Sequence, residues 1–342
     1  MPREAAFMID TVILPASDSL SGKEIPSGHG LEAAIDSIRR EKNAVILAHY
    51  YQSSAIQDLA DYVGDSLDLS RRAAATTADV IVFCGVRFMA EVAKILSPGR
   101  TVLLPDADAG CTLEEACRAD DFRAFRKSHP GHIAATYINS SAEVKALSDV
   151  IVTSSNAETI VRQLPPDQPV LFAPDRHLGS YIKRKTGRDM TLWDGSCVVH
   201  AQFSESALQR LKEEHPLAKI VAHPECPEQI LGHADHIGST RSLLDFASET
   251  SAQEIIVATE ANLIHQMIKA APGKKFFPVP GASGACNGEI CALCPFMALN
   301  TMDKLYRCLV NGAPRVEMPE WLMAEARKPL ERMLEMSPPA RP

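Results

Sequence analysis

The chain has 342 residues, of which 46% are hydrophobic, so it can bury a large core and divide into two or three domains. A formal net charge of -8, with no long Lys/Arg run, argues against a general nucleic-acid binder. No stretch of about 18 apolar residues exists to span a membrane, and Met1 to Leu20 lacks the continuous apolar segment of a signal peptide, so a cytoplasmic protein is expected.

Residues 1–30 read as a lead-in rich in turn formers, among them Pro15, Gly22, Pro26, Gly28 and Gly30. Leu31 to Lys42 follows as a helix with Leu31, Ala34, Ile35 and Ile38 on one face. Val45-Ile46-Leu47-Ala48 is a short continuous apolar run, the mark of a buried parallel strand, and it ends in His49-Tyr50-Tyr51-Gln52. A helix to about Tyr62, a second helix opening at Gly64-Asp65-Ser66, a strand at Val80–Phe83, a helix over Phe88–Leu96 and a strand at Thr101–Leu104 complete this stretch. The last strand delivers a loop carrying Cys111.

The order then begins again. His132–Thr136 is a strand ending in Tyr137-Ile138-Asn139, Val150–Val152 a second, followed by Thr153-Ser154-Ser155-Asn156 opening a helix. Val170–Ala173 is the next strand, and Met190–Trp193 runs into Cys197. A third round has strands at Lys219–Ala222, ending in His223-Pro224-Glu225-Cys226, and at Glu254–Ala258, with Gly238-Ser239-Thr240 opening a helix between them. His49 to Asp61, Tyr137 to Asp149 and His223 to Asp235 are each 12 residues apart, and Asp61 to Ser66, Asp149 to Ser154 and Asp235 to Thr240 are each 5. Such long copies are small α/β units with parallel sheets and right-handed crossovers. The expected fold is α/β, three homologous αβα domains around a pseudo-threefold axis. Their bounds are 31–118, able to take in C-terminal helices over 301–335, then 119–205 and 206–300, with a flexible tail over 336–342. An insertion around Pro280 to Glu289 lengthens the third copy.

Ligands of open α/β sheets bind beyond the carboxyl ends of the strands. There the copies place His49 and Tyr51, Tyr137 and Asn139, and His223 and Glu225, with Ser66, Ser154 and Thr240 at helix openings, where free N–H groups attract carboxylate or phosphate. His49, Tyr51, Tyr137 and Glu225 are candidates for proton transfer. His177, His200, His236 and His265 have weaker cases, and Asp61 and Asp149 read as turn or cap residues. Of nine cysteines, Cys111, Cys197 and Cys294 fall at intervals of 86 and 97 residues. Three well-separated thiolates suit a 4Fe–4S cluster with one open iron. Cys291 and Cys294 also form a CxxC, which alone reads as half of a zinc site or a thiol–disulfide pair. Cys84 and Cys308 read as packed core thiols and Cys117 as lying on a helix face, while Cys226 and Cys286 stay open as ligands.

These motifs resemble the quinolinate synthase family, the iron–sulfur enzymes of de novo NAD biosynthesis. The likeness runs from about Leu31 to Cys308 through Ala48-His49-Tyr50-Tyr51-Gln52, Gly64-Asp65-Ser66, Phe88-Met89-Ala90-Glu91, Tyr137-Ile138-Asn139-Ser140, Phe172-Ala173-Pro174-Asp175, His223-Pro224-Glu225-Cys226, Gly238-Ser239-Thr240, Thr259-Glu260 and Cys294-Pro295-Phe296-Met297. The resemblance implies a transferase that condenses iminoaspartate with dihydroxyacetone phosphate to quinolinate, phosphate and water, in transient contact with an aspartate-oxidising enzyme that supplies the imine. It implies Cys111, Cys197 and Cys294 as cluster ligands, the open iron serving as Lewis acid. Where some members carry CxxCxxC, this chain has Gly288 at the first position. On this reading Ser66, Ser154 and Thr240 hold anionic groups and Asn139 and His223 orient substrate. His49, Tyr51, Tyr137 and Glu225 bind it and move protons. An aconitase-type iron–sulfur hydro-lyase, a non-enzymatic iron–sulfur sensor and a zinc-bound interaction protein are the alternatives.

Overall fold

In a computed structural model, residues 11–14, 25–281 and 292–337 are described. Most of the expected lead-in and of the insertion, the tail beyond Ser337, and both Cys286 and Cys291 lie outside those residues.

Three parallel sheets carry the repeat. In the first, the order is Tyr62–Gly64, Ala44–His49, Val80–Cys84, Thr101–Leu103. In the second it is Val150–Val152, Ile133–Tyr137, Val170–Ala173, Met190–Leu192, and in the third His236–Ile237, Lys219–Ala222, Glu254–Ala258, Lys275–Pro278. Each follows the same 2-1-3-4 order. The register repeats as well: Ala48 pairs with Val63 and Cys84, Thr136 with Ile151 and Ala173, and Ala222 with Ile237 and Ala258. The central strands are continuous apolar runs because helices cover both faces, and Ala44–His49 is buried at every position. The flanking helices show the complementary stripe: His29–Glu41 buries Leu31 and Ile35, one turn apart, and keeps Arg39 and Arg40 near its C-terminus, where the helix dipole favours cations.

The aspartates at the 12-residue interval are neither caps nor simple turn residues. Asp61 Oδ2 accepts the N–H of Ile46 at 2.8 Å, Asp149 Oδ2 that of Ala134 at 2.7 Å, and Asp235 Oδ2 that of Ile220 at 2.8 Å. Each aspartate also donates its own N–H to the same residue's carbonyl, at 3.0, 3.0 and 2.8 Å. The short second strand begins one residue later, so the side chain satisfies a strand N–H that the short partner cannot reach. A cation completes each clamp: Arg39, Arg126 and Lys219. Replacing Asp235 by alanine should lower unfolding free energy by about 1.5–3 kcal/mol, the usual worth of a hydrogen bond to a charged group, read from the urea midpoint. Burial opposes the Asp235 charge, but Lys219 and the Ile220 N–H outweigh it and hold the carboxyl below its ordinary value. Its contribution is therefore complete above about pH 5 and vanishes as pH falls through the depressed folded value, where wild type and variant should converge.

Two features depart from the sequence expectation. Tyr62–Gly64, expected at the end of a helix, is the edge strand of the first sheet, the preceding helix being only Ser54–Leu59. The lead-in also contributes a strand, Val12–Leu14, antiparallel to Arg315–Glu317, which in turn lies antiparallel beside Thr101–Leu103. The first sheet thus has six strands. Helix Met302–Asn311 shares a core with the first copy through Leu305, Cys308 and Leu309 packed with Leu31 and Ile35. Helix Glu320–Met336 buries Leu322, Leu330 and Met333 in the core common to the first and second copies. Its end is tied to the second copy, where Asn156 Nδ2 donates to Ser337 Oγ at 2.8 Å and Gln163 Nε2 to the Met336 carbonyl at 2.9 Å. No helix of the described residues is long and apolar enough to cross a membrane.

Candidate active site

One cavity is lined from all three sheets, at the carboxyl ends of their strands. Its wall contains Cys111, Cys197 and Cys294, the proton-transfer candidates His49, Tyr51, Tyr137 and Glu225, and Ser66, Asn139, Ser154, His223 and Thr240. His49 ends Ala44–His49, Tyr137 ends Ile133–Tyr137, and His223 follows Lys219–Ala222, so the parallel strands aim three equivalent residues at one space. Apolar walls come from Phe88, Met89, Phe296 and Met297. Among the described residues, no lysine or arginine lines it.

Ser66 and Thr240 each open a helix, while the capping itself falls to the residue before them. Asp65 caps Ser66–Ala75, accepting from Leu67 N at 3.0 Å and Asp68 N at 2.9 Å. Ser239 caps Thr240–Glu249, accepting from Ser242 N at 3.3 Å. Ser66 and Thr240 are therefore first helical residues, relieved of capping, and line the cavity. Ser154 sits in the turn ahead of Ala157–Gln163, where Asn156 Oδ1 accepts from Thr153 N at 2.6 Å.

Cys111, Cys197 and Cys294 reach the cavity from three separate loops. Burial pushes all three thiols up, Cys294 to about 11. Backbone N–H groups act in the opposite sense: Leu113 and Glu114 on Cys111, His200 on Cys197, Phe296 and Met297 on Cys294. As thiolates the three would also repel one another, since Cys111 and Cys294 both act on Cys197. Three soft donors, each turned toward amide N–H groups and destabilised as bare anions, suit a metal centre, and amide hydrogen bonds to sulfur are characteristic of iron–sulfur sites. Cys197, His200 and Glu225 also bring one donor atom each within 4.8 Å of one another, a group able to hold a metal. A buried carboxyl steadies one cysteine loop, Glu260 accepting the Cys294 N–H at 3.2 Å, while a backbone bridge between Asp175 and Gly195 holds the loop that leads to Cys197. Burial pushes Glu260 up to about 8.

His200, given a weak case from sequence, occupies the centre of the site and is 1% exposed. Its Nδ1 lies 2.7 Å from Glu225 Oε2 and 3.2 Å from Cys197 Sγ, and its ring stacks on His223 with centroids 4.7 Å apart. Its Nε2 lies 3.0 Å from Thr259 Oγ1, which is 2.8 Å from the Tyr51 hydroxyl. The spacing Cys197-x-x-His200 was the available signal, since it puts both on one tight turn. The other histidines lie elsewhere: His236 bonds Ser242 at 2.8 Å and stacks on Phe246, and His265 pairs with Asp58 at 2.8 Å. His177 lines no part of the cavity. Cys226 is a packed thiol donating to the Ala258 carbonyl at 3.3 Å, as Cys84 and Cys308 are packed in the first copy's core.

The electrostatics divide the site into fixed roles. Burial pushes His49 and His223 down to about 3, against the pull of Glu225, so both rings are neutral. Burial also disfavours the Glu225 charge, but His200 and the hydrogen bonds from His200 and Tyr137 outweigh it and hold the carboxyl at about 2. Burial, with Glu225 nearby, raises both Tyr51 and Tyr137 well above the ordinary phenol value. The result is one carboxylate beside the neutral rings of His49 and His223 and the intact phenols of Tyr51 and Tyr137. Glu225 Oε1, Asn139 Oδ1 and Thr153 Oγ1 are buried with no protein partner, which leaves acceptors for a ligand's hydrogen-bond donors.

Over residues 33–335 the chain matches the family described as "Quinolinate synthetase A protein". The quinolinate synthase of Thermosynechococcus vestitus is 55% identical over 319 residues, covering 93% of this chain and 99% of that one. Those of Synechocystis sp. and Microcystis aeruginosa are each 56% identical over 307 residues, covering 90% of this chain and 95% of theirs.

Proposed function

The chain belongs to the quinolinate synthetase A family, and from that premise we propose that it condenses iminoaspartate with dihydroxyacetone phosphate. The products are quinolinate, phosphate and two waters, which balances every atom of the two substrates and makes the enzyme a transferase. The observation that carries this reading is the meeting of Cys111, Cys197 and Cys294 with Glu225, Tyr51 and Tyr137 in one cavity built by three sheets.

The three cysteines would hold a 4Fe–4S cluster, one from each of three units over 31–118 with 301–335, 119–205 and 206–300. Such a cluster keeps one iron without a protein ligand and supplies Lewis-acid assistance to the loss of a hydroxyl as water. The substrates carry carboxylates and a phosphate, and the cavity wall offers them no lysine or arginine among the described residues. Their binding falls to the N-termini of Ser66–Ala75 and Thr240–Glu249, with the hydroxyls of Ser66, Ser154 and Thr240. Asn139 and His223 orient the bound chain, Asn139 through its unpartnered carbonyl oxygen. Glu225, ionised and with Oε1 unpartnered, takes protons during tautomerisation and ring closure. Tyr51, Tyr137 and neutral His49 exchange protons around it. Phe88, Met89, Phe296 and Met297 keep bulk water off the reactive imine. An aspartate-oxidising enzyme in the same cytoplasmic compartment would supply that imine.

The test is anaerobic purification followed by iron analysis and an assay of quinolinate from the two precursors. About four irons per chain with quinolinate formation is the expected result. Dehydration of a hydroxy acid without quinolinate would instead identify an aconitase-type hydro-lyase, and iron without any turnover would identify a sensor.

A further inference from the structure

We propose that Lys145 is a positioning residue of the substrate cavity: its ammonium grips the Ser140 carbonyl and, with Glu91 of the first copy on the N–H of Ala142, fixes the turn that presents Asn139. The three copies close their strand-end loops differently. In the first, Gln52 N donates to the His49 carbonyl at 3.0 Å, and in the third Cys226 N donates to that of His223 at 2.9 Å, so each makes a four-residue turn. In the second, Ser140 N donates to the Ile138 carbonyl at 2.8 Å, a three-residue turn with Asn139 at its apex. One internal hydrogen bond holds such an apex only as firmly as the two ends of the turn are held. The entering end is tied to the sheet, where Ile138 N donates to the Val152 carbonyl at 2.8 Å. The leaving end, Ser140 to Ala142, lies beyond the strand and takes its partners from elsewhere.

Two buried side chains supply them. Glu91 Oε2 accepts the Ala142 N–H at 2.9 Å, and Lys145 Nζ donates to the Ser140 carbonyl. Glu91 is 1% exposed and Lys145 has no exposed surface. Phe88, one turn before Glu91 on helix Arg87–Leu96, lines the cavity, and Lys145 Nζ lies over its ring, 5.4 Å from the centroid. The ammonium thereby joins the Asn139 turn to the Phe88 wall. The repeat shows what the position does. Lys145 stands five residues after Ser140 as Gln57 stands five after Gln52, and Gln57 Nε2 donates to the Gln52 carbonyl at 2.7 Å. Both copies therefore aim a side-chain donor at the last carbonyl of the turn, with different chemistry. The third copy has the buried Leu231 at this place, and its turn contains Pro224, whose ring stiffens the backbone without a donor. An ammonium in the second copy answers acidic surroundings: burial disfavours its charge, while Glu91, Glu114 and Glu143 favour it.

The kinetic part of this inference rests on the proposed role of Asn139 in orienting substrate, and the experiment separates the two. Full-length, cluster-loaded enzyme carries Lys145→Met, which keeps the length without a donor, or Lys145→Gln, the residue that grips the turn in the first copy. Iron content should match wild type in both. If Lys145→Met does not fold with its iron, Lys145→Leu takes its place, leucine being the third copy's residue. Amide hydrogen exchange over residues 138–142 should be about 10-fold faster in Lys145→Met and near wild type in Lys145→Gln. Lys145→Met should raise KM about 10-fold, for the same substrate that Asn139→Ala affects, with kcat within about 3-fold. Lys145→Gln should keep both constants within about 3-fold of wild type. Combined, Lys145→Met and Asn139→Ala should do no more than Asn139→Ala alone, because one acts through the other. Unchanged exchange in Lys145→Met, a failure of glutamine to restore it, or effects of the two substitutions on KM that multiply each overturn the proposal. If Asn139→Ala keeps the wild-type KM, the role of Asn139 fails instead, and the exchange rates still decide what Lys145 holds.

Discussion

Replacing Cys197 by alanine is expected to remove the iron, the broad visible absorption of the cluster and the quinolinate-forming activity together. Three protein ligands are the least that the proposed cluster has, so losing one leaves it held by two loops. Cys197 is also the hardest of the three to replace from nearby. It follows Gly195, where an added Cβ would stand 2.4 Å from the Pro174 carbonyl oxygen, so the loop has no room to shift in that direction. The loop is held by a backbone bridge between Asp175 and Gly195, and the Cys197 sulfur lies 3.2 Å from His200 Nδ1. Losing Lewis-acid assistance worth several kcal/mol corresponds to a fall in turnover of about 10³-fold or more. The control is Cys308→Ala, a thiol packed in the core between helix Met302–Asn311 and the first sheet, which should keep its iron and turn over normally. Iron analysis beside the absorption spectrum and the assay reads all three effects. A Cys197→Ala enzyme that kept iron and turnover would refute the ligand assignment.

The second large effect is expected from Glu225→Gln, which keeps the shape of the side chain and removes its charge. Glu225 Oε2 lies 2.7 Å from His200 Nδ1 while Oε1 remains unpartnered, so it is an ionised acceptor beside the neutral His49 and His223 rings. Loss of a positioned general base costs about 10²–10⁴-fold in kcat. KM should not rise, because removing a negative charge from a cavity that binds carboxylates and phosphate relieves repulsion. The pH dependence has a definite sign. With its carboxyl held at about 2, Glu225 stays in its basic form throughout the working range, and it loses that form only as pH falls toward that value. The wild-type kcat should therefore show no acid limb from this group between about pH 5 and pH 8. A limb near pH 6 that disappears in Glu225→Gln would show that the carboxyl titrates there and that His200 does not hold it down.

Much of this was legible along the chain because parallel α/β units write themselves in local patterns. Apolar runs such as Val45–Ala48 and Ile255–Ala258 are continuous because both faces of a parallel strand are covered. The aspartates stand at a constant distance because each must reach back to one N–H of the strand before it, and a carboxylate tolerates little variation in that reach. Elements that owe their existence to a partner were not legible. Tyr62–Gly64 and Val12–Leu14 have three residues each, too few to show a period, and are strands only because Ala44–His49 and Arg315–Glu317 lie beside them. His200 reads as one histidine among eleven until Glu225, Cys197 and Thr259 surround it.

By itself, then, the sequence determined the three α/β copies, the strand ends that carry His49, Tyr137 and His223, and the cysteine belonging to each copy. These follow from periodicity and spacing, which depend only on near neighbours along the chain. Tertiary structure alone decided that the three strand-end loops share one cavity, that His200 stands between Glu225 and Thr259, and that Glu260 braces the Cys294 loop. Those contacts join residues such as Tyr51 and Thr259, 208 positions apart. They exist because the helices that cover the sheets share apolar cores, as between the first and second copies, and so bring the carboxyl ends of the strands together.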